Sequence, residues 1–363
     1  MAQLGGKGGK GGKGGKGGKG GSDAAELEPG LDHAGSPSSP LLSHSLATTR
    51  DGILGYWDGA AKRVPLNKRR DYWVAFRALH EDPRRAVLDH ALQSQFTITL
   101  GRAESKVRAA GLDLVTLRPP EEGDLRNQLQ FLRTAADLRD DRLMEIHVQQ
   151  TDILSYFGAL GYLHSDATKW TLDILEGVLR LCTHLEMPIK AAFDCPRPFG
   201  FAQQVQPFIQ TPTHGTWPSG HATESFAVAT VFGALIMNGG VDHTDRWAGA
   251  NDAVHNAALV MRLAHRIATN RTIAGVHFPT DSMAGAFLGI SIGEFLVAKM
   301  SGSPDPVKSR TYDAQHKNED FTLGTLNDEL TGAQNGIAGN VAAGGGPEDE
   351  LLREIWAAAQ SEW

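Results

Sequence analysis

The chain is poor in several features that mark common protein classes. It has 363 residues but only two cysteines, Cys182 and Cys195, which are too few for a disulfide framework. Its longest apolar stretches, 226–237 and 283–300, fall short of the roughly 18–20 apolar residues of a membrane span. The first residues include no apolar segment typical of a secretory signal. We therefore expect a cytoplasmic protein without a transmembrane segment; export by a route that lacks a recognisable signal stays open.

Positive charge is also in deficit. The formal net charge is -7 and the pI is near 6.0, which argues against a general nucleic-acid partner. Hydrophobic residues make up 41% of the chain, enough for one sizeable core or two small ones.

The N-terminal region repeats Gly-Gly-Lys over residues 5–21. Glycine entropy and lysine repulsion keep such a segment unfolded, and the low-complexity composition continues to about residue 40. We expect residues 1–49 to form a disordered Gly/Lys-rich tail, either simply solvated or weakly adhering to an anionic surface.

Helical periodicity dominates the rest of the chain, and strand-like alternation is sparse. The fold class expected is all-α, a helical-bundle catalytic domain over residues 50–302. A flexible Gly-rich segment should follow at 303–346. Apolar residues recur at spacings of three and four in 72–82, 84–101, 125–163, 170–193, 222–238, 251–270 and 280–300.

The last residues, 347–363, predict an amphipathic helix that begins at Pro347. Its apolar face can pack on its own domain or form a subunit contact, so a homo-oligomer is possible. This face consists of Leu351, Leu352, Ile355, Trp356 and Ala359.

A first polar cluster lies in "KAAFDCPRPF", where Arg197 follows Lys190 by seven residues. Pro196 and Pro198 disfavour the α region for the residues before them, so the helix must end and Arg197 must lie in an extended exit. A guanidinium and an ammonium at a helix end are typical of oxyanion binding.

A second cluster is "THGTWPSGH", in which His214 precedes His221 by seven residues. Ser219 and Gly220 come directly before an apolar helix. Their backbone N–H groups and the helix dipole should therefore point at an anion, with His221 held beside it.

A third cluster is "NRTIAGVHFPTD". Arg271 ends a helix, His277 follows six residues later, and Asp281 four after that. A carboxylate at this spacing can accept the Nδ1–H of the histidine and leave Nε2 as a nucleophile or ligand.

Together the clusters predict a cage for a tetrahedral or trigonal-bipyramidal oxyanion rather than a divalent metal site. "DHTD" at 242–245 looks metal-binding but sits in a polar stretch after "NGG", and we interpret it as a solvated turn. The cage combines the cations Lys190, Arg197 and Arg271, the donors Ser219 and Gly220, and the imidazoles of His221 and His277.

The three motifs, K-x6-R-P, P-S-G-H and R-x5-H-x3-D, resemble those of the type 2 phosphatidic acid phosphatase/vanadium-dependent haloperoxidase superfamily. They cover about a quarter of the chain, residues 190–281. The sequence departs from the pattern at Asn270, where serine is frequent. The resemblance implies a helical bundle with either of two chemistries in the same cage.

In the haloperoxidases, the resemblance implies vanadate as cofactor with His277 as its ligand, His221 assisting proton transfer, and hydrogen peroxide and halide (bromide or iodide) as substrates. In the phosphatases, it implies no cofactor. His277, oriented by Asp281, would attack a phosphate monoester to form a phosphohistidine, and His221 would protonate the leaving group. Both can share one cage because vanadate resembles the five-coordinate phosphoryl transition state.

His214 favours the haloperoxidase interpretation, because "PTHGTWPSGHAT" resembles a stretch of the algal bromoperoxidases in which a second histidine tunes halide reactivity. The short interval from His221 to Arg271, and Pro196 before Arg197 in place of an aromatic residue, favour a phosphatase. A non-catalytic anion-binding or surface-assembly protein is a third alternative.

Overall fold

The computed structural model describes residues 39–55, 70–236, 252–332, 336–341 and 346–363, without the side chains of 252–258. Residues 1–38 of the predicted tail and the "DHTD" stretch lie outside this part of the chain. The chain divides into two compact units, residues 10–87 and a larger unit that includes 88–363.

In the smaller unit, a helix stands where the sequence predicted the end of the disordered tail. Helix α1 spans Pro40–Leu54, with the Ser39 hydroxyl accepting from the Leu42 N–H at 3.1 Å. Serine followed by proline is a helix start, which the Ser/Pro-rich composition concealed. Helix α2, Tyr72–Arg77, follows with Asp71 as its N-cap.

The mostly helical fold is confirmed, but all-α was incomplete, because the larger unit also holds a five-stranded sheet in the order β1-β2-β3-β4-β5. The predicted helix over 84–101 ends early, and its last residues form β1. All neighbouring strands are antiparallel except β3 and β4, which are parallel. The strands are β1 (Phe96–Thr99), β2 (Ser105–Ala109), β3 (Leu112–Arg118), β4 (Pro306–Asp313) and β5 (Gly336–Asn340).

The predicted flexible segment at 303–346 therefore also differs from the structure, since it contains β4, β5 and a helix. Strand β4 pairs in parallel with β3, with Val115 opposite Arg310, so the pairing joins residues far apart in the sequence. The helices after α2 are α3 (Glu81–Gln93), α4 (Glu122–Ala135), α5 (Arg139–Val148), α6 (Leu154–Phe157), α7 (Lys169–Phe193), α8 (Pro198–Phe201), α9 (Gly220–Ile236), α10 (Asp252–Ile273), α11 (Pro279–Ser301), α12 (Leu323–Thr331) and α13 (Pro347–Gln360).

The core is built around α9, which packs against α7, α10 and α11. Helices α9 and α11 approach closely through small residues. A Cβ on Gly289 would lie 2.3 Å from the Thr223 carbonyl oxygen, so a larger residue there would force the helices apart. This contact fixes the N-terminal ends of the two helices beside each other, where the second and third polar clusters lie.

Helix α11 is apolar along its whole length. Within the described residues it is the helix whose length and mean hydropathy, 1.5 over 18 residues, match a membrane span, and that window is fully buried inside the protein. A core helix has the same composition, and α11 occupies that position here.

The predicted C-terminal helix is present as α13. Its apolar face, the five residues named above, is buried against α7 and α11 of the same chain. The subunit-contact interpretation of this face is therefore wrong, because the chain covers the face itself. Lys299 of α11 and Asp349 of α13 add a buried ion pair at 3.0 Å.

Candidate active site

The first polar cluster lies where α7 ends. Lys190 is in its last turn and Asp194 terminates it in the left-handed region at φ 47°. The Lys190 Nζ is buried and donates to the carbonyl oxygens of Pro218 and, at 3.5 Å, of Thr216. Burial lowers the pKa of Lys190, while the charge of Glu186 raises it.

Arg197 lies in the extended exit that the flanking prolines predicted, at φ -75° and ψ 156°. It is buried, and its guanidinium donates to the carbonyl oxygens of Val276 at 2.8 Å and His214 at 3.2 Å. The same group donates to His277 Nε2 at 3.2 Å and lies 3.3 Å from His214 Nδ1. Arg197 thus connects all three polar clusters.

The turn before α9 differs in one respect from expectation. The Ser219 N–H does not point at an anion, because it donates to the Asp281 carbonyl oxygen at 2.9 Å. The free helix-end donors therefore begin with α9 itself, at Gly220, since the first N–H groups of a helix lack partners within it. A side chain on Gly220 would meet Glu186, 2.6 Å from its Oε1, so a larger residue there would require the Glu186 carboxyl group to move.

His221 is held by a residue that the sequence analysis did not identify. Its Nε2–H donates to the backbone carbonyl oxygen of Gln149 at 2.9 Å. Burial and the charge of Arg271 lower the pKa of His221 to about 3. The imidazole is therefore neutral, with Nδ1 as its unprotonated nitrogen.

Arg271 is a buried cation with an incomplete set of partners. It lies in the last turn of α10, and its Nη2 donates to the Ile146 carbonyl oxygen at 3.2 Å and to Gln149 Oε1 at 3.1 Å. Its Nε and Nη1 are buried and have no hydrogen-bond partner among the described residues. Burial lowers its pKa to about 10, which leaves the guanidinium charged at neutral pH.

His277 has the arrangement expected of a ligand or nucleophile. Its Nδ1–H donates to Asp281 Oδ2 at 2.9 Å, which leaves the lone pair on Nε2. Asp281 Oδ2 also accepts from the Phe278 N–H at 2.9 Å and from the Thr216 hydroxyl. Burial raises the pKa of Asp281 to about 6.

The predicted site residues meet in one place. Burial lowers the pKa of His277 well below its usual range, and the charges of Arg197, Lys190 and Arg271 lower it further. His214 lies at the edge of this site, half-buried, and burial lowers its pKa too.

Several site residues were missed by the sequence analysis. Thr216 lies between the two histidines of the second cluster, so its position in the sequence was a signal that it belongs to the site. Gln149 had no such signal, because it follows α5, far from every motif. Glu186 and Glu224 lie behind the site on α7 and α9, where burial raises the pKa of both carboxyl groups, that of Glu224 to about 8.

The side chains fit a bound oxyanion. Buried donors without partners are costly unless a ligand satisfies them, and in the described part of the chain they include Arg271 Nε, Arg271 Nη1 and Ser219 Oγ. The lone pair of His277 Nε2 and the N-terminal end of α9 complete a site for an anion with several oxygens. Binding would displace the Arg197 N–H that now contacts His277 Nε2.

The comparisons with known proteins agree with this geometry. Residues 173–303 match the model of the PAP2 superfamily. A vanadium-dependent bromoperoxidase of Ascophyllum nodosum is 34% identical to the chain over 94 residues. This similarity covers 23% of the chain and only 17% of the length of that bromoperoxidase.

The family model includes Lys190, Arg197, His221, Arg271 and His277, which converge in the structure. The superfamily that the three motifs predicted is thus confirmed by the match and by a mostly helical fold. Residues 173–303 of this chain form a PAP2 superfamily domain.

Proposed function

We propose that the protein is a vanadium-dependent haloperoxidase that oxidises bromide or iodide with hydrogen peroxide. The observation that carries this proposal is the position of His214, whose Nδ1 lies 3.3 Å from Arg197 Nη2, and Arg197 in turn contacts His277 Nε2. A second histidine seven residues before His221 is the feature that resembles the algal bromoperoxidases, and a bromoperoxidase is among the similar proteins.

In this proposal His277 Nε2 would hold the metal of vanadate, and Arg271, Lys190, Arg197, Ser219 Oγ and the Gly220 N–H would donate to its oxygens. Bound vanadate supplies an electrophilic centre at which peroxide becomes reactive toward halide. Preorganised cations and donors in a buried site stabilise charge more strongly than water does. Asp281 accepts the Nδ1–H of His277 and thereby leaves the lone pair of His277 on Nε2, the atom that would face the ligand.

His221 is placed to move protons. Its Nε2–H is engaged by Gln149, so Nδ1 is the atom that can accept a proton from a substrate oxygen. Its low pKa is due first to burial and then to the surrounding cations, of which Arg271 has the largest effect. A bound anion offsets those cations, so it raises the proton affinity of His221 toward the range useful in acid–base catalysis.

The alternative is a phosphomonoesterase that works without a cofactor through a phosphohistidine. It is favoured by the His277–Asp281 pair, with Nδ1 2.9 Å from Oδ2, because an oriented imidazole with a free Nε2 is also an activated nucleophile. The leaving group of the phosphomonoester would take a proton from His221, the residue that transfers protons in the haloperoxidase proposal.

One experiment separates the two functions. The purified protein is freed of bound anion, loaded with orthovanadate, and assayed for peroxide-dependent oxidation of bromide and iodide beside hydrolysis of a phosphomonoester. We expect halide oxidation that requires vanadate and is lost in His277→Ala. Efficient phosphomonoester hydrolysis that vanadate inhibits, with no halide oxidation, would show that the enzyme is a phosphatase.

A further inference from the structure

Gln149 joins two of the site residues from outside the family domain. It follows α5, it is 1% exposed, and it lies outside residues 173–303. Its backbone carbonyl oxygen accepts from His221 at 2.9 Å, and its Oε1 accepts from Arg271 at 3.1 Å. One residue therefore touches both the proposed proton carrier and the buried cation.

The orientation of the Gln149 amide is fixed by its neighbours. Oε1 also accepts from Asn270 Nδ2, at 2.9 Å, so it receives two N–H donors. A flipped amide would place its NH2 group against those donors, which is unfavourable. Asn270 is itself held, since its Nδ2 lies 3.1 Å from Glu145 Oε2 and its Oδ1 accepts from Arg142 at 3.2 Å.

This orientation leaves the amide nitrogen without a partner. Gln149 Nε2 is buried and makes no hydrogen bond with any described residue, and the same is true of Arg271 Nε and Nη1. A buried donor without a partner costs about 1–3 kcal/mol, and two neighbouring side chains carry this cost together. A ligand with several acceptor oxygens would satisfy both.

We propose that Gln149 is a further oxyanion-binding residue, whose Nε2–H donates to an oxygen of the bound vanadate or phosphate while Oε1 holds Arg271 in place. The inference rests on the proposed function only in requiring that the site bind an oxyanion. It applies equally to the haloperoxidase and to the phosphatase, because both need the same oxygens held. It also explains why asparagine stands before Arg271, since Asn270 supplies the donor that fixes the amide.

The test is Gln149→Glu with Gln150→Glu as its matched control. The substitution replaces the donor with a carboxylate that meets Arg271 and competes with the anion. The control makes the same change at the next residue, which is exposed. Calorimetry with orthovanadate and with inorganic phosphate measures affinity, and thermal unfolding without anion measures stability.

We expect Gln149→Glu to weaken the binding of both anions at least ~10-fold, the loss of a hydrogen bond to a charged group, while Gln150→Glu binds as the wild type does. Without anion, Gln149→Glu should unfold at the wild-type temperature or above it, since the carboxylate pairs with Arg271. A merely structural role would instead lower the unfolding temperature. If Gln149→Glu does not fold, Gln149→Met, which keeps the length and removes the donor, should show the same loss of affinity.

Wild-type affinity in the Gln149 variants would overturn the inference and leave the proposed function intact. A wild-type protein that binds vanadate but oxidises no halide would refute the haloperoxidase, yet the inference would stand if Gln149→Glu weakens binding. A wild-type protein that binds neither anion would overturn both.

Discussion

Two buried arginines in the same chain have opposite surroundings. Arg310, in β4, pairs with Glu294 of α11 through two hydrogen bonds, at 2.7 and 2.9 Å. Arg271, equally buried, donates to one carbonyl and one amide oxygen and has no carboxylate partner among the described residues. The first region neutralises its charge with a carboxylate of the same chain, and the second does not among the described residues.

The difference separates stability from function. A buried charge is tolerated when it is paired and hydrogen-bonded, and an incompletely paired one lowers the stability of the folded chain. The protein retains such a group in Arg271, which lies in the last turn of α10 and has two buried N–H groups without partners among the described residues. A site that is electrostatically incomplete binds an anion tightly because the anion removes that deficit.

Breaking the paired region should give the largest effect. Arg310→Ala leaves Glu294 buried without its partner, so the free energy of unfolding should fall by about 3–5 kcal/mol. Denaturant unfolding measures this. The double variant Arg310→Met/Glu294→Leu, which removes both charges, should recover most of the loss; if it does not, charge pairing is not what stabilises this region.

Breaking the unpaired region should instead affect binding. Arg271→Ala removes two free donors, so the affinity for vanadate should fall by about 1.5–3 kcal/mol. Its stability without anion should fall less than that of Arg310→Ala, because no buried carboxylate is left behind. Calorimetry and unfolding on the same preparation test both parts. Equal destabilisation by the two variants would remove the contrast between the regions.

A smaller effect is expected at the edge of the site. His214→Ala should leave vanadate bound, since His214 contacts Arg197 rather than the ligand position, but lower bromide oxidation about 10–100-fold, as for other groups that orient a metal site. Turnover at saturating vanadate measures it. An unchanged rate together with unchanged phosphomonoester hydrolysis would remove the argument from His214.

Asp281, which orients His277, should make both activity and stability depend on pH. Burial raises the pKa of Asp281 to about 6, so the carboxylate that orients His277 gains a proton as the pH falls through about 6, and activity should decline. Stability changes in the opposite direction. In the folded protein Asp281 keeps its proton up to about pH 6, whereas in the unfolded chain the same carboxyl group loses its proton at a lower pH. The contribution of protonated Asp281 to stability is therefore lost as the pH rises through about 6. Asp281→Asn should abolish this difference in pH-dependent unfolding.

The candidate site was largely predictable from the sequence. The prolines around Arg197 predicted an extended exit, and Ser219 and Gly220 preceded an apolar helix, so local backbone preferences placed several functional groups at helix ends. Ser219 was the exception. Its N–H was expected to face the anion but donates to Asp281, because α11 packs against that turn.

The sheet was not predictable in the same way. Strands β1 and β2 are too short to show the long alternation of apolar and polar residues that identifies a strand. Strand β4 acquires its partner β3 only when the chain has folded. The start of α7 shows the same limit. The carboxylate of Glu362 accepts from the N–H groups of Trp170 at 2.7 Å and Thr171 at 2.9 Å, a cap from the far end of the chain.

The three motifs, the helices that carry them and the chemistry of their side chains follow from the sequence, because these depend on residue type and on neighbours within a few positions. Which charges are paired depends instead on how the chain folds. Arg310 meets Glu294, Arg271 meets Gln149, and His221 meets the same glutamine because separate helices and strands pack together. Pairing is a property of three-dimensional distance, and this distance gives Arg310 a carboxylate partner and Arg271 none among the described residues.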